Sequence, residues 1–308
     1  MHLTLITSTY NSENTVEKYI DVFSNILRNK LGADNYEIII VDDGSTDKTS
    51  QILQYKKLND KKLKIVELNQ NYGQHTAIKI ALENVKKDGN DLVFYCDSDL
   101  EEDPEILINF VAKIKSGYDL VYGYQKKRGG SKIYNFFSTL FYQLFNLFSN
   151  SSMPKNVLSS HLFSDDVRKK ILEFEEKNFF FHGIIHSIRS KKIGFELVKS
   201  NKGTSEYNLV KYTKMFFQVL FYNSTFPLYL IFWIGLIFVV TSFLIITSIL
   251  LSALIFNYNY NAGWPSVVIL IIFFGGLIQM SIGAIGLYVG YILQEIKKRP
   301  VLIKKKIE

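Results

Sequence analysis

The chain has 308 residues, 47% hydrophobic and 15% aromatic, with 36 basic residues against 29 acidic ones and a formal net charge of +7. That length allows one large or two modest domains, and the single cysteine, Cys96, excludes an internal disulfide and suits a reducing compartment. The basic residues form no single stripe with interleaved exposed aromatics, so nucleic acid is not the partner the charge points to.

In chain order, His2–Thr9 (HLTLITST) predicts a strand, and the polar turn Tyr10-Asn11-Ser12-Glu13 opens an amphipathic segment through about Leu27. Tyr36–Val41 (YEIIIV) is a fully apolar strand ending in Asp42-Asp43-Gly44-Ser45-Thr46-Asp47. A helix from about Lys48 to Tyr55, a strand Leu63–Leu68 and a helix from about Gln74 to Val85 come next. In the stretch Asp91–Pro104, Leu92, Val93, Phe94 and Tyr95 suit a buried strand that breaks abruptly into Asp97-Ser98-Asp99, and a helix Glu105–Lys115 and a strand Asp119–Tyr122 follow. Strands alternating with helices predict an α/β fold with a doubly wound, mainly parallel sheet.

Beyond that sheet, Ser131–Asn150 gathers Ile133, Phe136, Phe137, Leu140, Phe141, Leu144, Phe145, Leu147 and Phe148 on one face, the pattern of an amphipathic helix lying in a membrane interface. Lys211–Tyr222 is a second such segment. From Met215 to Gln294 the chain has no Asp, Glu, Lys or Arg, and Leu228–Phe256 and Val267–Leu293 each exceed the roughly 20 residues that cross a bilayer as a helix. The loop Asn257–Pro265, with Tyr258, Tyr260 and Trp264, suffices only for a hairpin. Lys211 and Lys214 precede the hairpin; Lys297, Lys298, Arg299 and Lys304 to Lys306 follow it. The positive-inside rule then places both termini and the α/β domain in the cytoplasm, with the basic excess facing anionic lipid headgroups. No cleavable signal is visible, since Met1 leads within two residues into a strand. The resulting divisions are 1–130 for the α/β core, 131–226 for an acceptor-side segment, 227–294 for the hairpin (about 228–256 and 267–293) and 295–308 for a basic tail.

Three groups follow strands and can gather along one carboxyl edge: Ser8 to Tyr10, Asp42 to Gly44 and Asp97 to Asp99. Two carboxylates spaced as Asp97 and Asp99 are can hold a hard divalent cation together with phosphate oxygens and water. The bland alternative is a solvated turn that caps the next helix through Asp103 and Pro104. A carboxylate at Asp42 or Asp43 can accept from a base N–H or from ribose hydroxyls, and Gly44 lets the chain turn tightly beside a ligand. No Gly-x-Gly-x-x-Gly follows the first strand and no Gly-Lys-Ser/Thr loop occurs, which argues against dinucleotide oxidoreductases and P-loop NTPases.

The set TSTYNSE (7–13), EIIIVDDGSTD (37–47), LNQNYGQHTAIKIAL (68–82), DSDLEEDPE (97–105) and DLVYG (119–123), followed by two apolar runs, resembles family 2 glycosyltransferases of GT-A fold. Within them it looks most like polyprenyl-phosphate glycosyltransferases, with Asn71 to His75 and GLYVGYILQEIKKRP (286–300) especially like the bacterial undecaprenyl-phosphate branch. The resemblance implies an inverting transfer of one sugar from a nucleotide diphosphate sugar to a polyprenyl phosphate, with Mg²⁺ or Mn²⁺ as cofactor, at the cytoplasmic face of a bacterial plasma membrane. It implies nucleotide contacts from Ser8, Tyr10, Asp43 and neighbouring Asp42, a ribose contact from Asp97, and a metal held by Asp99 with Asp97. It also places Glu102 near the sugar and the acceptor phosphate against Arg128 and Lys132.

Gln125, Ser159-Ser160-His161-Leu162 and Ser205-Glu206-Tyr207 depart from the family pattern, and the first Ser replaces an Asp that is a candidate base in some relatives. A lipid phosphate is already anionic at neutral pH, so the reaction needs alignment and charge neutralisation more than a base. His182 and His186 form HGIIH but lack the third ligand and the Glu of a zinc protease; His75, His161, His182 and His186 are read as structural or acceptor-side groups. A processive polysaccharide synthase would carry Gln-x-x-Arg-Trp in the catalytic domain, whereas Trp233 and Trp264 lie in or beside the hairpin. A non-catalytic nucleotide-sugar-binding membrane protein is the other alternative. Gly275, Gly276, Gly283, Gly286 and Gly290 would allow close helix packing in a homo-oligomer.

Overall fold

The computed structural model describes residues 2–32, 35–86, 91–126, 154–176, 179–198, 263–297 and 300–307, with single helical positions between 233 and 255. The chain forms two compact units, one of Met1–Asn146, Asn150–Glu206 and Lys298–Glu308, the other of Leu147–Ser149 and Tyr207–Lys297.

The described strands of the first unit are β1 (His2–Thr9), β2 (Tyr36–Asp42), β3 (Leu63–Leu68), β4 (Asp91–Tyr95), β5 (Leu120–Tyr124), β6 (Val157–Ser164), β7 (Lys192–Glu196) and β8 (Ile303–Ile307). Its described helices are α1 (Val16–Asn25), α2 (Thr49–Asn59), α3 (Gln74–Glu83), α4 (Ile106–Lys115), α5 (Asp165–Leu172) and α6 (Phe181–Ser187). The strands form one sheet in the order β7-β5-β6-β4-β1-β2-β3-β8. The first five strands lie where the sequence predicts them, but the sheet is mixed rather than mainly parallel. β1 pairs in parallel with β2 and β4, β2 with β3, and β5 with β7; β6 runs antiparallel to β4 and β5, and β8 antiparallel to β3.

The side-chain period of two explains how the sheet is covered on both faces. Leu3, Leu5, Ile38 and Ile40 point into a core with Val16, Tyr19, Ile20 and Phe23 of α1 and Leu107 and Phe110 of α4. Ile6, Ile39 and Val41 point the other way, onto Ala77, Ile78 and Ala81 of α3, Val167 and Ile171 of α5, and Ile184 and Ile185 of α6. The buried positions 16, 19, 20 and 23 are the i, i+3, i+4, i+7 stripe of an amphipathic helix. In α5 the Ser164 side chain accepts from the Val167 N–H, Asp165 and Asp166 fill the first turn, and Lys169 and Lys170 the last, a charge order that suits the helix dipole. Buried Arg168 donates to Asp165 at 2.6 Å and to the Leu82 carbonyl at 3.2 Å, which ties α5 to the end of α3.

The tail is structured over residues 300–307. Val301 packs on the second core, the Leu302 carbonyl accepts from Asn69 N–H at 3.1 Å, and β8 closes the β3 edge.

In the second unit the described residues form α7 (Trp264–Lys297), a helix of 34 residues. Val267, Leu270, Ile271, Ile278, Ile282 and Ile285 on it are exposed. Among the described residues no helix is long and apolar enough to cross a membrane, so the expected two-helix hairpin is not shown there. The α7 backbone is nevertheless about 51 Å long at 1.5 Å per residue, and its sequence carries no charge before Glu295. Ser131–Asn150, Lys211–Tyr222 and the Asn257–Pro265 loop lie outside the described residues, apart from Gly263, Trp264 and Pro265.

Candidate functional site

The run β3-β2-β1-β4 reverses direction at β1, so the carboxyl ends of β1, β2 and β4 flank a topological switch point, where open α/β sheets bind ligands. Register makes the three sequence groups level: Thr9 pairs with Asp42, and Ile6 with Tyr95. Beyond the strand ends, Thr7 Oγ1 donates to the Cys96 carbonyl at 2.8 Å and Ser98 Oγ to the Ser8 carbonyl at 3.3 Å. The structure thus brings Ser8, Tyr10, Asp42, Asp43, Asp97 and Asp99 to one edge. Arg128 and Lys132 lie outside the described residues.

The loops after β1 and β2 are fastened to each other. Asn11 N–H donates to Ser45 Oγ at 3.0 Å, while Asn11 Oδ1 accepts from the Thr46 N–H at 2.9 Å. Glu13 accepts from the Lys48 N–H at 3.1 Å, and its own N–H donates to Asp47 at 3.2 Å. Asn11 pays for this reciprocal clamp with a left-handed backbone, φ 49°, a conformation Asn tolerates better than most residues. Tyr10, 46% exposed, stands at the entrance of this loop pair with its ring accessible to a ligand.

Asp42 and Asp43 are both buried but serve different partners. Asp42 Oδ1 accepts from the Ser45 N–H at 3.0 Å and from the Ser45 hydroxyl. Asp43 accepts from the Tyr72 N–H at 2.7 Å and the Gly73 N–H at 2.9 Å, so its carboxylate holds the loop between β3 and α3. Burial raises the pKa of both above the usual carboxylate value; the Ser45 bonds offset this for Asp42, the two amide bonds for Asp43. Beside them Gly44 has φ 73°, and a Cβ there would lie 2.5 Å from the backbone carbon of Gln70. Gly44→Ala is therefore expected to destabilise the chain by about 1–3 kcal/mol through backbone strain alone, before any displacement of the Gln70–Asn71 backbone. A melting temperature equal to that of the parent protein would refute this packing.

The acidic turn after β4 separates three carboxylates by environment. Asp97 Oδ1 accepts from the Tyr95 hydroxyl at 2.7 Å and from Gln74 Nε2 at 2.5 Å, and the Asp97 N–H donates to Ser159 Oγ at 3.2 Å. Asp99 is exposed; its Oδ1 accepts from the Glu101 N–H at 3.0 Å, and Leu100 takes a left-handed φ of 55° immediately after it. Glu102 faces inward to β6: Oε1 accepts from the Ser159 N–H at 2.9 Å and the Ser159 hydroxyl at 2.6 Å, and Oε2 from the Ser160 N–H at 3.1 Å. A carboxylate so engaged fixes β6 beside the acidic turn. Asp103 Oδ1 accepts from the Glu105 N–H at 3.0 Å in the turn leading to α4, but the N-cap of that helix is Glu105, which makes no side-chain cap bond, so the expected cap through Asp103 and Pro104 is not formed.

Among the described residues no group of three or more His, Cys, Asp or Glu side chains is placed to hold a metal ion. Asp97 and Asp99 supply two carboxylates at the edge, a donor set that fits Mg²⁺ or Mn²⁺ when phosphate oxygens and water complete the shell.

Four of the five histidines converge behind this edge. His75 lies edge-on to His182 at 5.8 Å between ring centroids, His182 is 5.3 Å from His161, and His161 is 5.4 Å from His186. His161 Nδ1 is 2.8 Å from the Ser159 carbonyl, which can only accept, so Nδ1 carries the proton. His161 Nε2 must then accept from His186 Nε2, 3.3 Å away, which leaves His186 Nδ1 bare and without a hydrogen-bond partner. Burial holds the imidazoles of His75 and His161 down at about 4 and that of His186 at about 2, and drives His182 well below its usual value. The cluster is neutral at physiological pH.

Sequence reasoning missed Gln74, Tyr95 and Ser159 as partners of the acidic turn. Gln74 stands in the Asn71–His75 run and Tyr95 ends the apolar strand, but their meeting depends on how α3 lies over β4.

The family model for glycosyl transferase family 2 matches residues 4–193. A glycosyltransferase of Bacillus subtilis, described as uncharacterized, is 28% identical over 98% of this chain and 93% of its own length. A protein of Mycobacterium tuberculosis described among putative glycosyltransferases is 31% identical over 100% of this chain and 88% of its own. A prophage bactoprenol glucosyl transferase homolog of Escherichia coli is 28% identical over 100% of both chains.

Proposed function

The chain belongs to glycosyl transferase family 2, and on that footing we propose that it moves a single sugar from a nucleotide diphosphate sugar to a polyprenyl phosphate at the cytoplasmic membrane face. The observation that carries this reading is the match to the Escherichia coli bactoprenol glucosyl transferase homolog along the full length of both chains. That match extends past residue 193, where the family model ends, into the long apolar segments. An exposed aliphatic face on a helix of 34 residues is the surface a bilayer would cover, which supports a membrane-embedded second unit.

In this reading Ser8, Tyr10, Asp42, Asp43 and Asp97 form the nucleotide side of the site. The Asp43 bonds to Tyr72 and Gly73 and the cross-clamp through Asn11 and Glu13 keep that side preorganised. Asp97 and Asp99 would hold the divalent cation, which supplies charge neutralisation to the diphosphate when bound. An oxygen of the lipid phosphate attacks the anomeric carbon as its bond to the diphosphate oxygen breaks, so the sugar changes carriers with inversion and the nucleotide diphosphate departs. That nucleophile is anionic at neutral pH and needs no side-chain base, consistent with Ser159 where a carboxylate stands in some relatives. Glu102 enters as the residue that sets β6 against Asp97, and Arg128 and Lys132 as the acceptor-phosphate contacts.

The test incubates the full-length protein with Mn²⁺, undecaprenyl phosphate and a panel of UDP-, GDP- and dTDP-sugars. One lipid-linked monosaccharide is expected. A polymer would replace the reading with a processive synthase, and nucleotide-sugar binding without turnover would replace it with a non-catalytic membrane protein.

A further inference from the structure

Asp97 is gripped by two side chains to which the proposed reaction gives no role. Tyr95 Oη and Gln74 Nε2 both donate to Asp97 Oδ1, at 2.7 and 2.5 Å, and Gln74 Nε2 also donates to Tyr95 Oη at 2.9 Å. The bonds form a closed ring in which each hydrogen has one place to go. The amide of Gln74 gives one N–H to the carboxylate and the other to the phenol oxygen, and the phenol gives its only hydrogen to the carboxylate. Turning the amide over would set its carbonyl oxygen against a carboxylate, so the ring also fixes the amide orientation.

The three members come from separate elements. Tyr95 ends β4, Asp97 lies two residues beyond it, and Gln74 is the first residue of α3. Tyr95 is completely buried, its ring held edge-on by Phe181 at 5.0 Å. Gln74, by contrast, is exposed at the edge of the sheet.

We infer that Tyr95 and Gln74 are positioning residues: together they lock the Asp97 carboxylate in the orientation that meets the nucleotide's ribose and the cation on its diphosphate. The inference rests on the functional reading above and deepens it by assigning the specificity of that carboxylate's aim to a phenol beneath the strand end and an amide on α3. Acting through Asp97 and away from the acceptor, the pair governs donor binding more than the transfer step.

Tyr95→Phe keeps the buried ring and removes only the hydroxyl, while Gln74→Ala alters an exposed side chain. Each variant of the full-length protein is expected to weaken Mn²⁺-dependent binding of UDP, GDP or dTDP about tenfold, the effect of one lost hydrogen bond to a charged group, as read by calorimetry without turnover. The donor KM should rise by a similar factor with kcat little changed, and the double variant should lose little more than either single one, because both act on one oxygen. A structural role alone would lower the active fraction, and hence apparent kcat, with KM and nucleotide affinity intact; that result would overturn the inference, as would strict additivity. Failure of the functional reading looks different: the parent protein itself would bind none of the three nucleotides.

Discussion

Asp99→Asn is expected to reduce sugar transfer by about 10²–10³-fold, the loss typical of removing one preorganised electrostatic contact to developing charge, while leaving the fold unchanged. Three of the five carboxylates in the acidic turn differ in what holds them. Glu102 gives both oxygens to Ser159 and Ser160 of β6. Asp97 is oriented by Tyr95 and Gln74. Asp99 is exposed, and the bond its Oδ1 accepts from the Glu101 N–H can be accepted equally by an Asn carbonyl. The substitution therefore removes charge and keeps the turn. Surface changes of this kind usually shift stability by less than about 0.5 kcal/mol, so the melting temperature should stay put as activity falls. Single-turnover transfer to undecaprenyl phosphate in detergent, with expression and melting controls, measures it. Undiminished turnover would remove Asp99 from the diphosphate site.

The half of the fold that was legible in the sequence is the half whose strands carry unbroken apolar runs. EIIIV and DLVFY announce β2 and β4, and the switch point follows from alternating them with helices. β6 was not legible because VLSSHLFS has three polar residues at its centre, and Ser159, Ser160 and His161 are nonetheless buried. Glu102 answers Ser159 and the Ser160 N–H, and His186 answers His161, while the Ser160 hydroxyl is buried with no hydrogen-bond partner; Glu102 and His186 are far away in sequence. β7 (KIGFE) is interrupted by a glycine between charged ends, and IKKKI in β8 has no apolar alternation to betray a strand; its pairing with β3 supplies the order. At the site the same division holds. Carboxylates that end strands could be picked out by position, whereas the Gln74–Tyr95–Asp97 ring and the convergence of four histidines depend on how α3, β6 and α6 meet across the sheet.

That histidine cluster sets the second large effect, an acid weakness of the first unit. An unfolded chain protonates His near pH 6.5, whereas folded His161 is held at about 4 by burial, against small opposing contributions from the Ser159 carbonyl and Glu102. Between those values the unfolded state binds a proton that the folded state refuses, so stability rises with pH across the window. It is fully present above about 6.5 and is lost as pH falls toward the folded value. His75, His182 and His186 shift in the same direction. The raised Asp42 and Asp43 act with the opposite sign, since a folded carboxyl that takes its proton early is relatively stabilised by acid; their window lies at the acid end, nearer the usual carboxylate value. At pH 5 His161 alone accounts for a loss of roughly 2 kcal/mol at 1.36 kcal/mol per pH unit. A change of that size corresponds to about 4–8 °C in melting temperature for a unit of this size. The melting temperature of the detergent-solubilised full chain should therefore drop steeply between pH 7 and 5. His161→Gln with His186→Gln removes two of the titrating groups and should flatten the curve, even where it lowers stability at neutral pH. A pH dependence unchanged by the double substitution would mean that the buried imidazoles are not what acid attacks.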